Sequence, residues 1–242
     1  MVAIFLRSLV FNVLFYLVFL FWVVVALPTF LMPRGAMMRV ATWWAKTVML
    51  LMRLVCNIKI EFRGTEKIPK GPLIVASKHQ SSWETFALLT LFADPTFIVK
   101  RELMWIPWFG WYIWKARMIP VDRGAGTQAL VLMTEKARVE LQHDRQLVMF
   151  PEGTRRAIGA EPAYKFGVAH LYAEIGVPCL PVALNSGLAW PRRKFLRYPG
   201  TVRVEILDPI PPGIARGEFF QRLRSDIEQA TARLVAAGIQ KN

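Results

Sequence analysis

From Leu9 to Leu27 the chain carries only Asn12 and Tyr16 as polar groups, a run about as long as a hydrocarbon core is thick. A helix this apolar has no face suited to water, so it must be covered by protein or by lipid. The run is longer than the apolar stretch of a secretory signal (roughly 7–15 residues), and Ala26-Leu27-Pro28 is a poor cleavage site. Pro28 and Pro33 end it, and a second helix is predicted over 36–56. There Arg39, Lys46 and Arg53 recur every seven residues among Val40, Trp43, Trp44, Val48, Leu50, Leu51 and Leu54. That basic seam on an apolar helix fits the headgroup layer of a bilayer; a second span or a core helix with a solvated edge would give a similar pattern.

Charge supports the lipid reading. The net charge is +14, yet the first sixty residues hold Arg7, Arg34, Arg39, Lys46, Arg53 and Lys59 and no acid before Glu61. A cationic, apolar, acid-free stretch suits an anionic membrane surface. The basic residues alternate with apolar ones and no nucleic-acid motif appears, so no nucleic-acid partner is expected. Cys56 and Cys179 sit in apolar surroundings and neither pairs with His at metal spacing, so buried thiols are expected and a zinc site is not.

Beyond residue 57 the pattern changes. Strands are predicted at 58–63 (an edge), 73–76, 97–99, 118–121, 147–150, 180–184 and 202–207, with helices at 82–92, 126–142, 163–175 and 217–236. In the last helix Phe220, Leu223, Ile227, Ala230 and Leu234 form the apolar stripe. The expected architecture is α/β, a mostly parallel sheet flanked by helices. It follows a two-helix membrane-binding segment at 1–57, leaving 58–242 as the domain that carries chemistry. Trp105, Trp108, Trp111 and Trp114 recur every three residues. On one helix they would fan over about 180°, serving a membrane interface, an acyl groove or the core.

Two segments carry the chemistry. Lys78-His79-Gln80-Ser81-Ser82-Trp83-Glu84 follows the strand at 73–76, and Phe150-Pro151-Glu152-Gly153-Thr154-Arg155 follows the strand at 147–150. Strand ends are where open α/β sheets keep their ligand sites. His79 with a carboxylate to orient it is a general base, and Arg155 presents a planar fork to a phosphate. Ser81-x-x-Glu84 is also a capping box, in which Glu84 would bond back to a backbone amide. Ser81 and Ser82 lack a Gly-x-Ser-x-Gly elbow, so direct transfer is expected rather than an acyl-serine. His143 and His170 read as structural.

These segments resemble the motifs of the glycerolipid acyltransferases. His79 and Glu84 are similar to the H-x4-D motif with Glu for Asp, and residues 150–155 match the F-P-E-G-T-R block in full. Val99-Lys100-Arg101-Glu102-Leu103 resembles the second motif and Val177-Pro178-Cys179-Leu180-Pro181-Val182-Ala183 the fourth, so the likeness runs from about 60 to 207. The resemblance implies acyl transfer from an acyl-thioester of coenzyme A or acyl carrier protein to the hydroxyl of lysophosphatidic acid. In it His79 would be the base and Glu84 its support. Lys100, Arg101, Glu152, Gly153, Thr154 and Arg155 would bind the acceptor, with no metal or bound organic cofactor. The basic residues after Leu27 outnumber the single Arg7 before it, so the expected place is the inner membrane with the active site facing the cytoplasm. A lyso-ornithine lipid acceptor, or a catalytically silent membrane-binding module, would share most of these features.

Overall fold

The computed structural model describes residues 1–122 and 124–240. Helix α1 (Val2–Ala26) and helix α2 (Arg34–Cys56) form an antiparallel hairpin around a 3₁₀ turn at Leu27–Leu31, where Pro28 and Pro33 forbid a continuous helix. Asn57, in the left-handed conformation, ends α2 and turns the chain into the sheet.

Seven strands follow: β1 (Ile58–Arg63), β2 (Leu73–Ser77), β3 (Pro95–Lys100), β4 (Ile119–Val121), β5 (Gln146–Met149), β6 (Cys179–Leu184) and β7 (Gly200–Ile206). They are ordered β1-β7-β6-β2-β5-β3-β4, and only the β6–β7 pairing is antiparallel. The central strand β2 is buried along its whole length, pairing with β5 (Ile74 opposite Leu147) and β6 (Ile74 opposite Cys179). Period-2 alternation divides its side chains between two cores. Leu73 and Val75 face Val48, Met52 and Trp83, whereas Ile74 and Ala76 face the layer built by helices α5 (Gly126–Leu141), α6 (Gly167–Ile175) and α8 (Arg216–Ile239). Apolar burial on both faces is what a parallel sheet between helical layers requires.

The first core crosses residue 57. Phe11 of α1 and Ala45, Val48, Met52 and Cys56 of α2 lie in the same cluster as Leu180, Val182 and Val204 of the sheet. The hairpin is thus part of the packing on one face. Both ends of α1 are held by this body: the Tyr112 hydroxyl donates to the Val23 carbonyl (2.7 Å), and Asn12 and Ser8 bond to the 195–197 segment.

Three predicted elements differ. The helix expected over 82–92 is α3, Trp83–Ala87, followed by a 3₁₀ turn at Leu88–Thr90, because the chain must turn to feed β3 at Pro95. In α8 the buried stripe begins at Phe219, stacked on Tyr172 at 3.7 Å, and Phe220 is only partly covered. The four tryptophans do not share a helix. Trp105 ends a 3₁₀ turn begun at Arg101, Trp108 sits at φ 65°, and helix α4 (Phe109–Lys115) carries Trp111 and Trp114. Pro107 breaks the helical pattern, and Gly110 is required because a Cβ there would lie 2.0 Å from the Met104 carbonyl oxygen. All four are 52–70% exposed, which removes the core-packing reading. Trp111 and Trp114 line an apolar hollow of about 390 Å³ with Leu27 and Phe30, where α4 meets the hairpin.

Candidate active site

Strands β2 and β5 are parallel neighbours, so the segments that leave their carboxyl ends emerge side by side. Besides the Lys78–Glu152 pair described below, three bonds stitch them together. The Arg156 amide donates to the His79 carbonyl at 2.7 Å, the His79 amide to Glu152 Oε2 at 3.1 Å, and Arg155 Nη1 to Ser82 Oγ at 2.5 Å. The His79 ring stacks on Phe150 (centroids 4.0 Å apart), which limits its rotation. Gly153 turns the second segment at φ 65°, and a Cβ there would press within 3.1 Å of the Lys165 side chain.

Glu84 is fully buried and accepts from five donors. Oε1 takes His79 Nδ1 (2.9 Å) and the amides of Gln80 (2.6 Å) and Ser81 (2.7 Å). Oε2 takes the hydroxyls of Ser81 and Ser186, each at 2.9 Å. Burial pushes this carboxyl up, but the His79 hydrogen bond and charge, with the Ser81 amide, outweigh it and hold it below the usual range. Glu84 therefore meets Nδ1 as an ionised acceptor. The ring must carry hydrogen on Nδ1, so that in the neutral ring it is Nε2 that holds the lone pair. The reach-back half of the capping box is formed as well: Glu84 accepts the Ser81 amide, while Ser81 Oγ takes the Trp83 amide and the N-cap of α3 is Ser82, which makes no side-chain cap bond. The bond to His79 and the bond back to a backbone amide are both made by this one side chain.

The remaining predicted residues separate into two groups. Glu152, Gly153, Thr154 and Arg155 sit beside His79. Glu152, however, is occupied on both oxygens, by Lys78 Nζ (2.9 Å) and the His79 amide, and makes no hydrogen bond or ion pair with Arg155. Its carboxyl is pushed up by burial, against the pull of Lys78. Lys100 and Arg101 leave the same edge of the sheet from β3. They are exposed and paired locally, Lys100 with Glu102 (2.7 Å) and Arg101 with Asp122 (2.9 Å), and neither is joined to Arg155. The hydroxyls of Ser81 and Ser82 are committed to Glu84 and Arg155 rather than to the His79 ring, in keeping with transfer without an acyl-serine. Sequence reading missed Ser186, which follows β6 with no motif around it, and Lys78, masked by its more conspicuous neighbour. Cys56 and Cys179 are free and buried, and among the described residues no group of His, Cys, Asp and Glu has the arrangement of a metal site.

A histidine whose Nδ1 is held by a buried carboxylate, with an arginine leaving the neighbouring strand end of a mostly parallel sheet, defines an α/β domain whose site is suited to general-base chemistry near an anion. The chain belongs to the Acyltransferase family, whose profile matches residues 59–185. Over 163 residues it is 37% identical to a 1-acyl-sn-glycerol-3-phosphate acyltransferase of Pseudomonas aeruginosa, covering 67% of this chain and 63% of that one. Over 169 residues it is 32% identical to the human 1-acyl-sn-glycerol-3-phosphate acyltransferase alpha, covering 69% and 60%. The matched segment thus spans a little under two thirds of these relatives' lengths. A lyso-ornithine lipid O-acyltransferase of P. aeruginosa is 26% identical over 210 residues, covering 79% and 78%. In three dimensions the chain is similar to the 1-acyl-sn-glycerophosphate (LPA) acyltransferase PlsC of Thermotoga maritima, with a TM-score of 0.78, 24% identity and coverage of 95% and 97%. That likeness bears on the fold, including the N-terminal hairpin.

Proposed function

We propose that this chain moves a fatty acyl group from an acyl-thioester to the sn-2 hydroxyl of lysophosphatidic acid, giving phosphatidic acid. The observation that carries the reading is the His79–Glu84 pair, which leaves Nε2 for the acceptor proton, with the Arg155 guanidinium bonded to Ser82 of the same loop. In the reaction the acceptor oxygen attacks the thioester carbonyl carbon and its proton passes to His79 Nε2. Glu84 holds the resulting imidazolium in place. The carbon–sulfur bond then breaks, and the thiolate takes the proton back. Arg155 would exchange its Ser82 bond for a bidentate grip on the acceptor phosphate. Lys100 and Arg101, on the same sheet edge, would add positive potential rather than first contacts. The donor, a coenzyme A or acyl carrier protein thioester, brings the activated carbonyl, so the reaction calls on no resident metal or organic cofactor.

The exposed apolar face of α1, including Leu6, Val13, Leu17, Leu20 and Val24, supports membrane association. With both ends of α1 fixed to one body, a helix lying in a single leaflet fits better than a crossing, which would draw the domain into hydrocarbon. The basic seam of α2 and the acid-free, cationic first sixty residues favour an anionic leaflet, such as the cytoplasmic face of an inner membrane.

The lyso-ornithine lipid acceptor remains a second reading, because the match to that relative covers more of both chains. The deciding experiment supplies full-length protein in lipid vesicles with labelled acyl-coenzyme A or acyl carrier protein and each acceptor in turn. Phosphatidic acid is the expected product. Product from lyso-ornithine lipid alone would redirect the assignment, and no diacyl product from any acceptor would make the chain a silent membrane module.

A further inference from the structure

Beneath the catalytic loop lies a charged cluster that acyl transfer does not itself require. Lys78 is buried, and its Nζ lies 2.9 Å from Glu152 Oε1 and 2.6 Å from Glu228 Oε1. Glu228 stands on α8, 150 residues further along the chain and outside the family-matched segment. Its Oε1 also accepts the Tyr164 hydroxyl at 2.8 Å, and Lys78 Nζ lies 5.8 Å from the centre of the Tyr164 ring. One carboxylate is enough to neutralise a buried ammonium, and Glu152 supplies it. The second therefore leaves the cluster with an excess negative charge, partly relieved by the Tyr164 hydroxyl and by the 26% exposure of the Glu228 side chain. Glu228 is a quarter exposed and Arg224 acts on the same Tyr164, so the surplus is tolerated, but Lys78 does not need it for charge balance.

What the second carboxylate adds is direction. Lys78 precedes His79 and its amide is fixed to Val182 of β6, while its side chain is drawn between Glu152 and α8. Glu152, so held, presents Oε2 to the His79 amide. We propose that Glu228, with Tyr164, is a positioning residue for His79. Through Lys78 and Glu152 the C-terminal helix sets the backbone of the catalytic loop, and with it the aim of Nε2. The inference rests on the acyltransferase reading for its kinetic readout but not for its structural one. Glu228 also helps to push the Glu152 carboxyl up, as expected if the two acids share one ammonium.

Glu228→Gln keeps size and shape and removes only the charge. The expected result is a kcat lower by roughly tenfold or more, since small misplacement of a catalytic group is costly. KM for the lysophospholipid should stay within about twofold, as no acceptor contact is lost. Amide exchange in the peptide spanning 77–84 should rise, while exchange in the rest of α8 stays as in wild type. Tyr164→Phe should act in the same direction more weakly, and the double variant should be no worse than Glu228→Gln alone, because both act through one cluster. Wild-type kcat together with unchanged exchange at 77–84 would overturn the proposal. So would a uniform rise in exchange across α8 with a fall in melting temperature, which marks a purely structural role. If Glu228→Gln does not fold, Tyr164→Phe alone decides by the same kcat and exchange criteria. If the wild-type protein transfers no acyl group, the function reading fails, and exchange at 77–84 still decides this one.

Discussion

Glu84 joins two demands that a sequence states separately, the start of a helix and the aim of a base. Its five donors make it ionised and immobile, so its charge is available to His79 at no cost in reorganisation. Glu84→Gln retains an acceptor for the amides and loses the charge, so kcat should fall by about a hundredfold or more, as removal of general-base support does. His79→Ala should abolish turnover, and circular dichroism should show both variants folded. The stability consequence has a definite sign. A carboxyl whose folded pKa is depressed stabilises the fold above its unfolded value, near 4.3, and that contribution is lost as pH falls through the folded value. The melting-temperature gap between wild type and Glu84→Gln should therefore be present at neutral pH and close below about pH 4. Ser186→Ala removes one donor from Oε2 and should cost about 1–3 kcal/mol of support to the ionised form, read as a lower kcat with KM unchanged. His79 and Glu84 were legible in the sequence because they are five residues apart on one turn. Ser186 and Glu228 were not, since only the sheet and the docking of α8 bring them to the loop.

At the level of elements, each catalytic segment was placed by the same signal, a short apolar run followed by polar residues that turn. That signal located β2 and β5 to within a residue or two, and their parallel pairing brought Arg155 to Ser82. The tryptophan segment misled because spacing alone carries no word on Pro107 and Gly110, which split the pattern. The family's second motif also sits on the expected sheet edge, yet local acids claim its Lys100 and Arg101. This ranks the cations. Arg155→Ala should raise the KM for lysophosphatidic acid markedly, and Arg155→Lys should recover only part, because a point charge lacks the planar fork. Lys100→Ala and Arg101→Ala should have smaller effects that fade with added salt, as expected of screened, exposed charges. Initial rates against acceptor concentration at two salt levels would check the ranking. Equal KM values for Arg155→Ala and wild type would remove Arg155 from the site.

For the whole molecule, the hairpin both exposes an apolar surface and forms a core wall, and these fall to different side chains of the same helix. Phe11 is fully buried and packs edge-on to Trp190 at 5.4 Å, whereas Leu17, six residues on, is 58% exposed. Sequence reading favoured lipid for the hairpin with core packing as the rival, because an apolar helix carries no mark of which residues a sheet will cover. Deleting residues 1–56 should consequently yield aggregate rather than a soluble domain, since it strips Ala45, Val48 and Met52 from the main core. Single substitutions separate the two roles. Phe11→Ala should cost about 3–5 kcal/mol and lower the melting temperature in detergent by roughly 6–20 °C, with vesicle binding by the folded protein retained. Leu17→Glu should leave that melting temperature within a few degrees and weaken flotation with anionic vesicles, because a charge on the lipid-facing side opposes insertion. Thermal unfolding in detergent and vesicle flotation, run on both variants, give a crossed pattern if α1 works on both sides. Loss of flotation by Phe11→Ala at a temperature where it is folded, or undiminished flotation by Leu17→Glu, would show that the exposed face of α1 is not what meets the bilayer.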